Sequence, residues 1–162
     1  MKRRIFLLSL FTLAGSTLVG RSLLAGQAGE RTNLEKITRS DQEWRSRLTA
    51  EQYHILRQAG TERSFTSALN GEKRHGVYRC AGCELDLFSS DMKYDSKTGW
   101  PSFTKAIPGR VETEIDFKLI YPRTEYHCVR CGGHQGHLFK DGPPPLGNRY
   151  CNNGVALQFV SV

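Results

Sequence analysis

The residue type best suited to chemistry in this sequence is cysteine, which occurs five times among 162 residues. Four of the cysteines form two Cys-x-x-Cys pairs, and each pair follows a short predicted strand. Such a knuckle directs two thiolates to one side of a tight turn, so two knuckles supply the four sulfurs of a tetrahedral zinc site. The predicted zinc ligands are Cys80, Cys83, Cys128 and Cys131.

The two knuckles are separated by residues 84–127, a stretch of 44 residues. A metal ion bound by both would therefore join distant parts of the chain. Two disulfides are the alternative, because an exported protein can form them, and a redox role for one pair is a further alternative. We favour one structural zinc ion, since paired knuckles suit metal geometry better than disulfide geometry.

The fifth cysteine, Cys151, has no cysteine partner in sequence and precedes an apolar segment. A small buried core residue is the ordinary role of a free cysteine. Two features favour a reactive thiol instead: Arg149 can stabilise a thiolate, and His134 and His137 supply imidazoles. In a regular strand these histidines would lie on opposite faces, whereas in a glycine-rich turn they can converge. These residues alone also fit a cysteine hydrolase or transferase.

A longer series of motifs resembles the methionine-(R)-sulfoxide reductase family. The series includes Gly-Trp-Pro-Ser-Phe and Arg-Tyr-Cys-x-Asn in addition to the two knuckles. The resemblance implies a mainly β fold, with two antiparallel sheets, short N-terminal helices and zinc on the four knuckle cysteines. The matching segments are 60–62, 80–83, 87–90, 93–96, 99–103, 128–137 and 145–153.

The resemblance also implies a set of active-site residues. Cys151 would be the nucleophile, His134, His137 and Asn153 would lie beside it, and Trp100 would contact the methyl group of the substrate. For Asn153 the alternative is a simple turn residue, and for Trp100 it is plain core packing.

The chemistry of these side chains agrees with such an activity. A Cys151 thiolate attacks the electrophilic sulfur of methionine sulfoxide, while a protonated imidazole of His134 or His137 makes the oxygen leave. Methionine departs, and Cys151 remains as a sulfenic acid. Trp100 offers an apolar wall for the methyl group. Arg149 is placed among the substrate-binding residues, with an ordinary ion pair as the alternative.

One departure from the family concerns how the enzyme is regenerated. Many members carry a resolving cysteine two residues before the tryptophan, where this chain has Thr98. We therefore predict that an external reductant attacks the Cys151 sulfenic acid, a thioredoxin-like protein first and a small thiol second. The expected substrates are oxidised proteins or peptides that contain methionine (R)-sulfoxide. Gln135 and Gly154 stand where the family often has Leu and Ser.

The elements that must position these residues are short. Ser and Thr caps followed three residues later by Glu or Gln predict two helices between Asp41 and Ala59, and Gly60 is predicted to end the second. Alternating apolar residues and turn signals beyond residue 71 predict a β-rich domain. The predicted strands are 76–80, 112–121, 124–129 and 155–160.

The N-terminal segment is predicted to be a targeting signal and not an element of the folded domain. A basic start, an apolar stretch at 5–20 and small residues after it make residues 1–28 a secretory signal peptide. Arg3 and Arg4 resemble a twin-arginine signal. We therefore expect an exported, periplasmic protein that has no stable membrane insertion once the leader is cleaved, and an uncleaved N-terminal membrane anchor is the alternative. Residues 29–39 would be a tether and 40–162 the reductase domain.

Composition and charge indicate whether the chain is folded and whether it binds nucleic acid. The hydrophobic fraction of 38% suits a folded domain. The pI is about 9.3 and the net charge +7, but four of these positive charges lie in 1–28 and elsewhere acids and bases alternate. We therefore predict no nucleic-acid partner. The main rival, a non-enzymatic zinc module that binds nucleic acid or protein, leaves Trp100, the two histidines and Cys151 unexplained.

Overall fold

The structure is a computed structural model that describes residues 34–118 and 121–162. The predicted signal peptide, 1–28, and the first residues of the predicted tether lie outside the described residues. Within the part that is described, 34–39 contact the domain, and the Ile37 N–H donates to the Arg130 carbonyl over 2.7 Å. The described ranges contain no helix long and apolar enough to cross a membrane.

Two short helices precede the sheets, as predicted. They are α1 at Asp41–Arg47 and α2 at Ala50–Gln58, and each begins with a capping box, Ser40 with Glu43 and Thr49 with Gln52. These boxes satisfy backbone N–H groups that the first turn leaves without a partner. 

The end of α2 differs from the prediction by one residue. The C-cap is Ala59, which adopts the left-handed conformation with φ of 50°, so the prediction that Gly60 ends the helix was wrong. The Gly60 N–H instead reaches back to the His54 carbonyl over 3.1 Å. That bond closes the last turn and allows a non-glycine residue to take the unusual conformation before it.

Within the described residues nine strands form two antiparallel sheets, which confirms the predicted fold class. A three-stranded sheet has the order β2-β1-β9, and a six-stranded sheet has the order β3-β4-β8-β7-β6-β5. The strands are β1 Gly76–Cys80, β2 Asp86–Ser89, β3 Lys93–Tyr94, β4 Ser102–Phe103, β5 Val111–Asp116, β6 Arg123–Cys128, β7 His134–Phe139, β8 Arg149–Asn152 and β9 Leu157–Ser161. Single turns of 3₁₀ helix lie at Ala68–Asn70, Ser90–Met92 and Gly154–Ala156.

The predicted strand 112–121 was wrong beyond Asp116. The backbone N–H of Lys118 donates to Asp116 Oδ1 over 2.8 Å, and such an Asx turn ends the ladder. Ile115 and Phe117, which supplied the apolar alternation, are 57% and 75% exposed. In this edge strand it is Asp116 that is buried. The first residues of the predicted strand 155–160 likewise belong to a 3₁₀ turn, and β9 begins at Leu157.

Aromatic side chains fill the space between the two sheets. Phe88 of β2 stacks on Phe103 of β4 with ring centroids 4.2 Å apart. Tyr78 meets Phe103 edge to face at 4.9 Å, and Tyr126 meets Tyr150 at 5.3 Å. Such packing fixes one face of the six-stranded sheet against the other sheet. Because side chains alternate along a strand, the next residues of β4, β6 and β8 point to the opposite face.

Candidate active site and metal centre

The four knuckle cysteines come together where β1 and β6 end. Cys80 and Cys128 are the last residues of their strands, and Cys83 and Cys131 follow in the turns. The two turns have the same geometry. The Glu84 N–H donates to the Cys80 carbonyl, and the Gly132 N–H donates to the Cys128 carbonyl, each over 2.8 Å.

The spacing of the sulfurs fits a metal and not a pair of disulfides. Cys80 Sγ and Cys131 Sγ are 3.6 Å apart, Cys83 Sγ and Cys128 Sγ are 3.5 Å apart, and all four sulfurs lie within 4.8 Å of one another. A disulfide requires about 2.0 Å. Zinc–sulfur bonds of about 2.3 Å in a tetrahedron place the sulfurs roughly 3.8 Å apart. The cluster therefore has the dimensions of a four-thiolate metal site.

A β-bulge brings the two histidines of β7 together. Tyr126 of β6 faces Gly136 and the next residue, His127, faces His134, so Gln135 is an extra residue on β7. Without the extra residue His134 and His137 would lie on opposite faces. With it, their ring centroids are 5.6 Å apart. The histidines thus converge within a bulged strand, an arrangement that differs from both the regular strand and the glycine-rich turn considered from the sequence.

Cys151 of β8 lies on the same face of the sheet as these histidines. Its cross-strand partners are His137 on one side and Ser102 on the other. It borders an open cleft of about 110 Å³, which is room for part of one side chain. The cleft is lined by Thr61, Trp100, Arg123, Gly136, His137, Phe139, Cys151, Asn152 and Asn153.

The electrostatics of Cys151 are set by two opposing effects. Burial raises the pKa of the Cys151 thiol above its ordinary value, while the Arg149 guanidinium and the Thr98 hydroxyl lower it. Arg149 is held in place by a two-pronged ion pair with Asp141, with both N–O distances 2.8 Å. Its guanidinium carbon also lies 4.2 Å from the centre of the Phe139 ring. Arg149 thus supports the thiolate and is held by an ion pair as well.

His137 is paired with a buried carboxylate. Its Nε2 lies 3.0 Å from Asp116 Oδ2, and Arg123 approaches the same oxygen at 2.5 Å. The Lys118 backbone N–H, His137 and Arg123 together hold the pKa of Asp116 far below its usual range. A charged carboxylate therefore stands directly behind an imidazole that faces the cleft.

His134 has a different environment. It is 2% exposed, and burial lowers its pKa to about 4 although Glu125 acts in the opposite direction. Its Nδ1 lies 2.5 Å from Glu125 Oε1, and neither ring nitrogen has a hydrogen-bond partner among the described residues. His134 is therefore neutral at pH 7, and it is His137 that lines the cleft.

Trp100 and Asn153 are connected through one residue, Glu62. The Trp100 Nε1–H donates to the Glu62 carbonyl over 3.1 Å, and the Glu62 N–H donates to Asn153 Oδ1 over 3.0 Å. Asn153 Nδ2 in turn donates to the Gln135 carbonyl over 3.0 Å. Asn153 therefore fixes the tryptophan loop to β7.

The Glu62 carboxylate also holds the chain that follows Asn153. It accepts the backbone N–H groups of Gly154 at 2.5 Å and Val155 at 3.0 Å. Burial raises the pKa of Glu62. Glu62 thus connects the tryptophan loop, through its backbone, with the chain after Asn153, which its side chain holds.

Comparison with known proteins identifies the family. Residues 48–161 match the SelR domain. A peptide methionine sulfoxide reductase of Methanosarcina mazei is 52% identical over 126 residues, which cover 77% of this chain and 90% of that protein. The chain belongs to the peptide methionine sulfoxide reductase B family. The family that the motifs resemble is thereby confirmed.

Further members of this reductase family are similar to the chain over about three quarters of its length. The homologue of Agrobacterium fabrum is 50% identical over 128 residues, or 78% of this chain and 95% of its own length. The chloroplastic B1 protein of Arabidopsis thaliana is 50% identical over 120 residues, or 74% of this chain and 59% of its own. Among solved structures, the Yippee-like domain of Mis18 covers 55% of this chain at a TM-score of 0.44 and 16% identity.

Most of the predicted site residues lie at one of two places in the structure. The four knuckle cysteines share the metal centre, and Cys151, Trp100, His137 and Asn153 share the cleft, while His134 lies behind His137 and Arg149 next to Cys151. Four charged residues were missed by sequence reasoning: Glu62, Asp116, Arg123 and Glu125. Only Glu62 had a signal, since it belongs to the matching segment 60–62; the other three depend on strand register.

Proposed function

We propose that this chain reduces methionine (R)-sulfoxide to methionine, with Cys151 as the nucleophile. The observation that carries the proposal is the position of Cys151, which borders a small cleft, cross-strand from an imidazole that a carboxylate orients. Family membership supports the activity, and the division between one cleft cysteine and four clustered cysteines supports the mechanism.

Each residue of the cleft has a role in the proposed reaction. The Cys151 thiolate attacks the sulfoxide sulfur, and His137, held at Nε2 by Asp116, protonates the oxygen. The oxygen finishes on Cys151 as a sulfenic acid, so Cys151 is oxidised by two electrons and the substrate sulfur is reduced by two. His134 is too deeply buried to serve as the acid, and we assign it the role of supporting His137.

The substrate we propose is a methionine sulfoxide side chain within an oxidised protein or peptide. The cleft is open and admits a side chain, and Trp100 offers an aromatic surface to the methyl group. Trp100 is held by its Nε1–H bond to Glu62, so the aromatic wall is in place before substrate arrives.

Regeneration is proposed to use an external thiol. The four other cysteines of the sequence belong to the metal cluster, and Thr98 occupies the position near Cys151 that a resolving cysteine would take. A thioredoxin-like protein or a small thiol then attacks the sulfenic acid and restores Cys151. Mass spectrometry after one turnover without reductant should find Cys151 as sulfenic acid; an intramolecular disulfide at Cys151 would refute this route.

Zinc is the metal we propose for the cysteine cluster. Four thiolates at tetrahedral spacing suit zinc. Because the four sulfurs fill all four coordination positions, none is left open for catalysis. The ion would be structural, and the knuckle cysteines would hold it as thiolates. Elemental analysis of protein folded with limiting metals should give one zinc per chain, and absence of zinc would contradict the assignment.

Export to the periplasm is also proposed, on the basis of residues 1–28. The twin-arginine route suits a domain that binds its metal before export. Replacing Arg3 and Arg4 with lysine should leave the protein in the cytoplasm, with a lysine replacement at Arg21 as the matched control. Normal export of the double variant would exclude that route, and membrane retention of the mature protein would favour the N-terminal anchor.

The activity itself can be tested with a labelled mixture of methionine sulfoxide epimers and dithiothreitol. Chromatography should show loss of the R epimer alone, and Cys151→Ser should abolish it. Retained activity in Cys151→Ser would refute the nucleophile. If the unaltered protein consumes neither epimer, the result would favour the non-enzymatic zinc module that binds nucleic acid or protein. Hydrolysis of an ester probe would favour a cysteine hydrolase.

A further inference from the structure

We propose that Glu125, His127 and His134 form a second metal site, which takes a divalent transition-metal ion through one carboxylate and two imidazoles. These residues lie on neighbouring strands, since His127 of β6 is the cross-strand partner of His134 of β7. Glu125 lies two residues before His127 and so projects from the same face. The site is separate from the four-cysteine cluster and uses none of its sulfurs.

The ligand atoms already lie close together. His127 Nε2 is 2.9 Å from Glu125 Oε1, and His134 Nδ1 is 2.5 Å from the same oxygen. One ligand atom from each residue lies within 4.8 Å of the others. An ion that binds nitrogen and oxygen at about 2.0–2.2 Å needs neighbouring ligands about 3 Å apart, so small side-chain rotations suffice to admit it.

The state of His134 gives an independent reason to expect a ligand. The residue is 2% exposed, and among the described residues neither of its ring nitrogens has a hydrogen-bond partner. Buried polar atoms normally have partners, and those that lack them point to a function or to an absent ion. An ion coordinated by Nδ1 would satisfy the nitrogen that faces Glu125.

Charge and access favour a cation at this position. Glu114 of edge strand β5 pairs across the sheet with Glu125, its side chain is 66% exposed, and its carboxylate is 3.6 Å from His127 Nε2. The cluster therefore joins two carboxylates to two imidazoles, and Glu114 provides an approach from solvent and a fourth donor. The nearby Arg123 is already engaged by Asp116.

The donor set selects the class of metal. Two imidazole nitrogens with one or two carboxylates suit zinc, cobalt, nickel or copper, whereas calcium and magnesium prefer sites made of oxygen alone. Three ligands on one side of the ion leave further coordination positions for water.

Cobalt(II) titration tests the site directly. The protein carries Cys151→Ser, so that the cleft thiol cannot serve as a ligand, and its cysteine cluster is first filled with zinc. We expect one further equivalent of cobalt to bind, with visible absorption typical of nitrogen and oxygen ligands and without the thiolate charge-transfer band that four sulfurs give. Binding of no further equivalent, or a thiolate band in its spectrum, would overturn the proposal.

Matched variants locate the ion. His127→Gln should weaken cobalt binding by at least tenfold, and Glu114→Gln should weaken it less. His75→Gln is the control, because the His75 side chain is 91% exposed and belongs to another part of the domain. Unchanged affinity in His127→Gln, or equal weakening in His75→Gln, would contradict the assignment. Circular dichroism and zinc content check that each variant is folded, and none of these measurements depends on reductase activity.

Discussion

At the scale of single residues, Cys151 differs from the other cysteines in its neighbours more than in its exposure. Cys83 is also only partly buried, yet its neighbours are three sulfurs, whereas Cys151 faces Arg149, Thr98 and His137. A thiol among thiols that point to one centre is suited to hold a cation, and a thiol beside an arginine and an imidazole is suited to react.

The pKa of Cys151 leads to a prediction on pH. Burial raises this pKa, so in the free enzyme the thiolate forms at a higher pH than it does in an ordinary cysteine. Arg149→Met removes a lowering effect and should move the pH dependence of Cys151 alkylation by iodoacetamide further upward. Because the thiolate fraction falls about tenfold for each unit of pKa, we expect slower alkylation at pH 7.5, by about three- to tenfold.

Arg79→Met is the matched control for that measurement. Arg79 also pairs with an aspartate, with Nε 2.7 Å from Asp86 Oδ1, but it lies in the three-stranded sheet. An alkylation profile that shifts equally in both variants would show that Arg149 has no specific effect on the thiolate.

The carboxylate behind His137 leads to a second prediction. Asp116→Asn keeps the size of the side chain but removes the charge that stabilises an imidazolium at His137. If His137 is the acid, the kcat for methionine sulfoxide should fall by about 10- to 100-fold. Glu112→Gln, at the other end of the same strand, where the side chain is 46% exposed, should leave kcat unchanged. A kcat unaffected by Asp116→Asn would remove His137 and Asp116 from the proposed proton transfer.

The sequence predicted candidate residues that line the cleft but not the charged residues that pair with them. Cys151, His137 and Trp100 are rare residue types in motifs that resemble a known family, so they could be singled out without coordinates. Asp116, Arg123 and Glu125 reach the site through the pairing of β5, β6 and β7. Register of this kind depends on tertiary packing, and a period-2 pattern led the predicted strand to run past Asp116, where β5 ends.

At the scale of elements, the pairing of β7 with β8 is what places the imidazole next to the thiol. Gly136 faces Asn152 in this pair, and a Cβ added at Gly136 would lie 1.9 Å from the Cys151 carbonyl oxygen. The backbone of β8 therefore passes too close for any side chain at position 136. Since that neighbour is backbone, it cannot move aside without opening the sheet.

Gly136→Ala should therefore damage both stability and activity. We expect the free energy of unfolding to fall by about 1–3 kcal/mol or more, as for overpacked cores, and reductase activity to drop by a larger factor than stability explains. Urea unfolding and kcat/KM at a temperature where the variant is folded measure the two effects. Gly71→Ala is the control, since φ there is −85° and the nearest atom is 4.0 Å away; equal losses in both variants would contradict the packing argument.

At the scale of the whole molecule, the cysteine cluster joins the two sheets. One knuckle follows β1 of the three-stranded sheet, and the other connects β6 and β7 of the six-stranded sheet. The Gln135 side chain extends this connection, because its Nε2 lies 3.4 Å from Cys80 Sγ and its Oε1 lies 3.5 Å from Asn152 Nδ2. The cysteine cluster and β8, the strand that carries Cys151, are thus parts of one network.

Metal removal should therefore destabilise the whole domain. A structural ion of this type contributes several kcal/mol, and at about 3 °C per kcal/mol we expect a chelator to lower the melting temperature by at least about 10 °C. Zinc should restore the melting temperature, and Cys151→Ser should bind the same amount of zinc as the unaltered protein. A melting temperature unchanged after complete zinc loss would show that the sheets are held together without the ion.

The fold class and metal cluster were predictable because each has a local signature. The capping boxes fix α1 and α2 within a few residues, and the knuckles identify themselves by spacing. The short strands β3, β4 and β8 had no such signature, since two to four residues are too few to show a period. Their pairing partners lie elsewhere in the chain, as Cys151 with Ser102 shows.

The three-stranded sheet also has a consequence for the nascent chain. Its central strand, β1, pairs on one side with β2, the next strand in the sequence. On the other side it pairs with β9, Leu157–Ser161, near the end of the described residues. While the ribosome is still adding the intervening segments, one edge of β1 has no strand to bond with. An unpaired edge can recruit foreign strands, so we expect chaperones to engage this protein most strongly before its final strand emerges.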